Sequence, residues 1–213
     1  MDVIESLKKH KIVAICRGVA TKDILATAQA LYNGGIRMME VTFNQKAADP
    51  IAETAASIKL LCEEMGDKML FGAGTVLTPA QVDAAVDAGA KYIISPNFSP
   101  AVVARTLERG AISMPGCLTP SEVMSAYEAG AQVIKLFPAG DLGVGYIKAL
   151  MAPISHIPLV AVGGVNADNM MDFLNLGVVG LGIGGNIVNT KLISEGKFDE
   201  LTEIALKYTS QIK

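Results

Sequence analysis

The stretch Thr78-Pro-Ala-Gln-Val-Asp-Ala-Ala-Val-Asp-Ala-Gly-Ala-Lys-Tyr-Ile-Ile-Ser95 holds one helix followed by one strand. Threonine followed by proline is typical of a helix start, and the alanine-rich spacing after it predicts a helix over residues 79–88. Gly89 and Ala90 end this helix and lead into an apolar run, which predicts a strand over residues 92–95. The stretch is therefore one repeating unit of an α/β fold.

The same unit recurs along the chain, and Gly110-Ala111 and Gly130-Ala131 repeat the junction between helix and strand. Short apolar runs predict eight strands, at residues 12–16, 38–41, 69–73, 92–95, 111–114, 133–135, 159–162 and 178–183. Further helices are predicted over residues 23–32, 101–109 and 121–129. Strands that alternate with helices over short loops indicate parallel pairing, and continuous apolar strands are typical of sheets buried on both faces.

Eight such strands favour a closed (β/α)8 TIM barrel over an open sheet. An extra helix over roughly residues 2–10 is expected to close one end. Because no stretch resembling a linker divides the chain, we expect a single domain over residues 1–213.

Composition excludes several classes of protein. Of the 213 residues 51% are hydrophobic and 18% charged, which is incompatible with a disordered chain. The net charge of −3 and the lack of a Lys/Arg cluster argue against a nucleic-acid partner. Three widely spaced cysteines suit a reducing cytosol and offer neither a disulfide framework nor a zinc pattern, and no run reaches transmembrane length. We expect a cytoplasmic protein with no membrane contact, no metal and no cofactor.

Lys135 is the first candidate for chemistry. It interrupts the apolar run Gln132-Val-Ile-Lys-Leu-Phe-Pro138 at a predicted strand end, before a segment that is expected to be a loop. Lysines at strand ends commonly extend the ammonium group into water. A lysine made partly neutral by desolvation is instead a nucleophile that forms a Schiff base with a carbonyl substrate.

Glu40 is the second candidate, inside a segment otherwise suited to a buried strand. Alternate strands fill a barrel interior in layers, so Glu40 on the second strand and Lys135 on the sixth are expected to face each other across the axis. A buried ion pair of purely structural value is one reading. A nucleophile with a neighbouring proton shuttle is the other, and the position of the pair at strand ends favours it.

Glycine-rich loops follow the seventh and eighth strands, at Gly163-Gly164-Val165-Asn166 and Gly184-Gly185-Asn186. Glycine pairs are common in turns, but these two loops are where barrels usually bind phosphate. Backbone N–H groups in such loops can approach an anion closely, so we predict a phosphate or other anion site. Gly72-Ala-Gly-Thr75 lacks the spacing of a dinucleotide fingerprint, which argues against NAD.

Several segments together resemble the class I aldolases that cleave 2-keto-3-deoxy-6-phospho sugar acids, the KDPG/KHG aldolase family. The matching segments are Ala14-Ile-Cys-Arg-Gly18, Met39-Glu-Val-Thr-Phe-Asn44, Gly72-Ala-Gly-Thr-Val-Leu77, Ile94-Ser-Pro-Asn97, Met114-Pro-Gly-Cys117, Lys135-Leu-Phe-Pro138 and Gly163-Gly-Val165. The resemblance covers nearly the whole chain and implies a TIM barrel, usually a homotrimer. The resemblance further implies that the substrate of this protein is a small 2-keto acid, which is cleaved to pyruvate and glyceraldehyde 3-phosphate. Cleavage of 4-hydroxy-2-oxoglutarate to pyruvate and glyoxylate is a further activity that the resemblance implies.

The resemblance also implies roles for individual residues. Lys135 matches the Schiff-base lysine and Glu40 the general acid/base, while Arg17 and Thr75 match positions near the pyruvoyl end of the substrate. The other implied substrate-binding residues are Asn44, Pro96, Phe137 and Val162, and the implied phosphate cradle is Gly163, Gly164, Gly184 and Gly185.

Two positions depart from the family pattern. Gly185 stands where family members often have serine, and Val162 stands where the gluconate-type enzymes usually have threonine. Val162, together with Asn44, is more similar to the galactonate-type branch. A methyl group in place of a hydroxyl beside a sugar alcohol changes hydrogen bonding, and such sites discriminate strongly between substrates.

Two other functions remain open from the sequence. One is a phosphate-binding barrel isomerase or epimerase, although such enzymes generally use acids, histidines or metals in place of a lysine on the sixth strand. The other is a catalytically silent barrel that binds a sugar phosphate or keto acid. Substrate-dependent release of pyruvate separates both from an aldolase.

Overall fold

The computed structural model describes residues 2–212 and contains one sheet in which all strand pairs are parallel. The strands in this part of the chain are β1 Ile12–Cys16, β2 Met38–Thr42, β3 Leu70–Gly74, β4 Tyr92–Ile94, β5 Ile112–Met114, β6 Gly116–Cys117, β7 Ile134–Leu136, β8 Leu159–Val162 and β9 Gly180–Ile183. The helices are α1 Val3–His10, α2 Thr21–Asn33, α3 Pro50–Met65, α4 Pro79–Asp87, α5 Pro100–Glu108, α6 Pro120–Glu128, α7 Ala139–Met151, α8 Met170–Asn175, α9 Thr190–Ser194 and α10 Phe198–Thr209. None of the helices within residues 2–212 has the length and apolar character needed to span a bilayer.

The sheet closes into a barrel through Pro115. The strand order is β5-β4-β3-β2-β1-β9-β8-β7-β6, and β5 and β6 are two halves of one strand on either side of this proline. Proline has no backbone N–H to donate, which interrupts the ladder, but its carbonyl accepts a hydrogen bond from the Lys135 N–H at 2.9 Å. The predicted (β/α)8 barrel is confirmed, with a fifth strand that continues past its predicted end at Met114.

Helix α1 closes the end of the barrel where the strands begin, as predicted. Asp2 caps it by accepting a hydrogen bond from the Glu5 N–H at 2.8 Å. Val3 and Leu7 are buried on the inner face of α1 and pack in one hydrophobic cluster with barrel-interior side chains such as Val13 and Val160. This plug leaves the opposite end of the barrel as the open one.

The segment after Lys135 differs from the sequence-based expectation of a loop. Helix α7 begins at Ala139, with Pro138 as its N-cap, because proline is compatible with a helix start. Gly143 has φ 75° and ψ 166°, so α7 consists of two helical segments joined at a kink. Strand β7 also ends at Leu136, which places Lys135 in the middle of the strand.

The inner face of β3 depends on glycine, and we expect Gly72→Ala to destabilise the barrel. A Cβ atom at Gly72 would collide with the ring of Tyr92, which is fully buried. Because close-packed neighbours prevent the ring from moving away, the free energy of unfolding should fall by about 1–3 kcal/mol. Chemical denaturation measures this, with Gly145→Ala in α7 as the control, since a Cβ there would meet no atom within 4 Å. Equal effects of the two substitutions would contradict the packing role of Gly72.

Candidate active site

Polar side chains and glycines surround one cavity of about 580 Å³ at the end of the barrel where the strands finish. Enzymes with this fold have their active sites at this end. The predicted site residues that line the cavity are Arg17, Glu40, Thr75, Pro96, Lys135, Phe137, Val162, Gly163, Gly164, Gly184 and Gly185. This cavity is therefore the candidate active site.

Asn44 is the one predicted site residue that the structure does not bring to this cavity. It lies in the loop after β2, where its Oδ1 atom accepts a hydrogen bond from the Lys46 N–H at 3.1 Å. Its side chain lines a separate cavity of about 220 Å³ beside β1, β2 and α3. The side chain stabilises its own turn, as asparagine commonly does, and Asn44 does not line the larger cavity.

Glu40 is buried at the centre of β2, with only 2% of its surface exposed. Its carboxylate lies over Gly74 of β3, where a Cβ atom would come within 2.5 Å of the Glu40 Cδ atom, so glycine is needed at that position. The Oε2 atom is fully buried and has no hydrogen-bond partner among the described residues. Burial raises the pKa of Glu40, and the positive charges of Lys135 and Arg17 oppose this rise only in part.

Lys135 is buried to nearly the same degree, with 8% of its surface exposed. Its Nζ atom lies 4.8 Å from the ring centroid of Phe137, which lines the same cavity. Burial lowers the pKa of Lys135, the carboxylate of Glu40 opposes this shift, and Arg17 adds to it. A larger fraction of the amine is therefore neutral than in an exposed lysine, which is the form that attacks a carbonyl carbon.

Glu40 and Lys135 both line a small apolar hollow of about 10 Å³ on the barrel axis, below the main cavity. Val13, Val160 and Ile94 form part of its wall. The low polarity of this wall accounts for the opposite pKa shifts of the two groups, since both shifts favour the uncharged form. The arrangement combines a nucleophilic amine with a carboxyl group able to exchange protons.

Arg17 and Thr75 form the polar rim of the cavity. The Arg17 Nη2 atom donates a hydrogen bond to the Thr75 Oγ1 atom at 2.9 Å. Thr75 has φ 56°, which is rare for a β-branched residue and marks a backbone held by its surroundings. The planar guanidinium retains further N–H donors, so the rim can bind a carboxylate or phosphate group.

The loop after β8 places its backbone against α7. Gly163 and Gly164 have φ 87° and 71°, values that side chains rarely adopt. A Cβ at Gly163 would lie 3.0 Å from the Phe137 ring, and one at Gly164 would lie 2.9 Å from the Gly140 Cα. These contacts leave room for backbone only, so the loop presents its main chain to the cavity.

The loop after β9 is open around Gly185, where a Cβ would meet no atom within 4 Å. Asn186, which the sequence does not single out as a site residue, lines the same cavity and donates from Nδ2 to the Val165 carbonyl at 2.9 Å. This bond joins the two glycine loops. Only its position beside the glycine pair could have indicated this role from the sequence.

Two of the three cysteines are buried. Burial raises the pKa of Cys16 and of Cys117 to about 12, so both thiols stay protonated near neutral pH. Within residues 2–212, no group of three or more His, Cys, Asp or Glu side chains is placed to hold a metal ion.

The family model and the curated relatives that match this chain point to the same family of aldolases. Residues 3–204 match the family model "KDPG and KHG aldolase". A 2-dehydro-3-deoxy-6-phosphogalactonate aldolase from Escherichia coli (strain K12) is 38% identical over 180 residues, which cover 84% of this chain and 85% of that protein. A 2-dehydro-3-deoxy-phosphogluconate aldolase from Treponema pallidum (strain Nichols) is 35% identical over 207 residues, covering 96% and 95%.

A solved structure with the same fold contains a covalent reaction intermediate. The KDPG aldolase from Legionella pneumophila, crystallised with pyruvate captured at low pH as a covalent carbinolamine intermediate, superimposes with a TM-score of 0.87. It is 27% identical to this chain, and the alignment covers 98% of each.

Proposed function

The chain belongs to the KDPG and KHG aldolase family and is a lyase of the class I, Schiff-base type, and on this premise we propose that Lys135 and Glu40 are its catalytic pair. The substrate class is a 2-keto-3-deoxy-6-phospho sugar acid, cleaved to pyruvate and glyceraldehyde 3-phosphate. The whole barrel acts as one catalytic domain. The isomerase and silent-binder readings find no support among the relatives.

One observation carries the assignment of the pair. Glu40 Oε2 is a buried oxygen without a hydrogen-bond partner among residues 2–212, and it shares a hollow with a buried lysine. An unpartnered buried carboxylate destabilises a fold, so its retention beside a desolvated amine points to chemistry rather than to stability.

The reaction follows from the two protonation states. Neutral Lys135 adds to the C2 ketone, and Glu40 delivers the proton with which the carbinolamine hydroxyl leaves as water. The resulting iminium accepts the electron pair of the C3–C4 bond as the Glu40 carboxylate takes the proton of the C4 hydroxyl and the aldehyde departs. The enamine takes this proton back from Glu40 at C3, and water then releases pyruvate and free Lys135. Burial raises the pKa of Glu40, so this carboxyl keeps a proton to a higher pH than an exposed one and can donate it to the leaving hydroxyl.

The two ends of the substrate bind at different places. Arg17 and Thr75 hold the carboxylate of the keto acid, a role that the bonded pair at the rim can perform. The phosphate lies against the backbone N–H groups of the loops containing Gly163-Gly164 and Gly184-Gly185, without help from a hydroxyl at Gly185. Val162 lines the cavity between these ends and contacts the sugar chain.

We also propose that the active form is a homotrimer, as is usual in the family. Leu77 and Leu118, on loops at the open end of the barrel, are large apolar side chains exposed in the single chain. Their burial between subunits would remove this surface from water.

Borohydride reduction in the presence of pyruvate tests the proposed function. We expect a stable adduct on Lys135, located by mass mapping of peptides, and release of pyruvate from the gluconate-type or galactonate-type substrate. Comparison of the two C4 epimers identifies the preferred one. An adduct on a different lysine, or none with folded protein and excess pyruvate, would overturn the assignment.

A further inference from the structure

A chain of two side-chain amides supports the rim of the active site from behind. Gln45, in the loop after β2, donates from Nε2 to the Thr75 carbonyl at 3.0 Å. Gln81, in the first turn of α4, donates from Nε2 to the Gln45 Oε1 atom at 2.9 Å. The Gln81 Oε1 atom in turn accepts from the Leu77 N–H at 2.7 Å. The bonds therefore begin and end on the backbone of the loop after β3.

The direction of every bond in this chain is fixed by its two ends. The Leu77 N–H can only donate and the Thr75 carbonyl can only accept. Both amides must therefore point their oxygens towards Leu77 and their NH2 groups towards Thr75. A flip of either amide would break two hydrogen bonds at once. Since Gln81 is 4% exposed, its lost partners would not be replaced by water.

Thr75, whose carbonyl accepts the hydrogen bond from Gln45, has a strained backbone conformation. Thr75 keeps φ at 56°, and its hydroxyl accepts the hydrogen bond from Arg17 Nη2. The hydroxyl is positioned by the backbone conformation that the Gln45 bond secures. The amide chain therefore acts on Thr75 directly and on Arg17 through it.

A second segment of the protein separates this role from ordinary helix capping. Leu77-Thr-Pro-Ala-Gln81 before α4 and Leu118-Thr-Pro-Ser-Glu122 before α6 are the same motif with glutamine exchanged for glutamate. In both, the side chain at the last position accepts from the leucine N–H, at 2.7 Å from Leu77 and 2.9 Å from Leu118. Capping thus requires only an acceptor, which glutamate supplies on α6. The helix cap does not use the NH2 group of Gln81, and this is the group that donates to Gln45.

We propose that Gln45 and Gln81 are positioning residues, which hold Thr75 and, through it, Arg17 in the arrangement that binds the carboxylate of the 2-keto acid. This inference rests on the proposed function, in which Arg17 and Thr75 bind that end of the substrate. Neither glutamine touches the reacting atoms, so loss of either weakens substrate binding more than it slows the bond-breaking step.

The substitution Gln81→Glu tests the proposal, because it keeps the acceptor for the cap and replaces the donor to Gln45 by an acceptor, which breaks that hydrogen bond. Gln45→Met, at an exposed position, removes the link from the other side. For each variant we expect the pyruvate concentration that gives half-maximal borohydride trapping to rise about tenfold. The trapping rate at saturating pyruvate should stay within about twofold of the wild-type rate, since Lys135 and Glu40 are unchanged. The double variant should bind pyruvate no more weakly than either single variant, because both break one connected chain.

The converse exchange Glu122→Gln on α6 is the matched control and should leave pyruvate binding unchanged. Pyruvate half-saturation at the wild-type value in Gln81→Glu and Gln45→Met would overturn the proposal, as would fully additive effects in the double variant. If Gln81→Glu fails to fold, Gln45→Met alone decides. Absence of trapping in the wild-type protein would instead refute the proposed function, so the two failures are distinguishable.

Discussion

Replacement of Lys135 by alanine is expected to abolish pyruvate release, with a fall in kcat on the order of 10⁴-fold or more. In the proposed mechanism Lys135 forms the covalent bond through which the iminium withdraws electrons, and no other described lysine lines the cavity. Lys135→Arg should be equally inactive, because a guanidinium remains charged and does not form a Schiff base. A coupled assay of pyruvate formation measures both variants.

Lys148→Ala is the control, since this lysine lies exposed on α7 and outside the cavity. Its kcat should match that of the wild type. Circular dichroism and a denaturation curve establish that the Lys135 variants are folded. Folded Lys135→Ala with a large part of its activity retained would refute the Schiff-base role of this residue.

The pH dependence of trapping gives an independent reading of the same lysine. The pKa of Lys135 is lowered from an ordinary value of 10.5, chiefly by burial. Only the neutral amine attacks pyruvate, so the rate of adduct formation should rise with pH through this lowered pKa and then level off. A midpoint at or above 10.5 would contradict the desolvated environment.

The two proposed catalytic groups could be singled out from the sequence because each violates the local pattern of its strand. A charged residue within an apolar strand is costly to bury, so Lys135 and Glu40 are visible as anomalies without any structure. The alternation of strands and helices then placed both groups in one barrel. Their common hollow follows from this closed topology.

The support of these groups was not predictable, because it depends on contacts between distant segments. Gly74 and Gly72 read as turn or strand glycines in the sequence, yet they are required by the Glu40 carboxylate and the Tyr92 ring. Nothing in the sequence indicates that Gln45 and Gln81 support the site, apart from the comparison of Gln81 with Glu122. Asn44 matched a family segment, but its local turn leads it to a different cavity.

Proline explains the differences in the fold. The backbone of Pro115 interrupts the fifth strand without ending it, since a missing N–H does not prevent its carbonyl from accepting the Lys135 N–H. Pro138 precedes α7 where the sequence indicated a loop, because proline is compatible with both a turn and a helix start. The proline residue alone does not show whether a strand ends at Pro115, or whether a loop or a helix follows Pro138.

Replacement of Glu40 by glutamine is expected to lower kcat by about 10²- to 10⁴-fold while pyruvate still binds. The amide has nearly the same shape and fits over Gly74, but it cannot exchange protons. The Glu40 carboxylate raises the pKa of Lys135, so its removal lowers that pKa further and increases the neutral amine. The midpoint of the trapping profile should therefore move to lower pH in Glu40→Gln, even as turnover falls. If the trapping midpoint moves to lower pH while kcat falls, the fall in kcat is due to lost proton transfer and not to a less nucleophilic lysine.

The stability of the same variant separates a catalytic role from a structural one. Burial raises the pKa of Glu40 above its ordinary value of 4.5, so the folded protein holds this proton more tightly than the unfolded chain does. The favourable contribution of protonated Glu40 is fully present below pH 4.5 and is lost as the pH rises through the raised pKa. At neutral pH we expect Glu40→Gln to be at least as stable as the wild type in chemical denaturation, and its relative advantage should shrink as the pH falls towards 4.5. A variant that is both less stable at neutral pH and unchanged in kcat would show that Glu40 serves the barrel as part of a structural ion pair, and the proton-shuttle role would have to be abandoned.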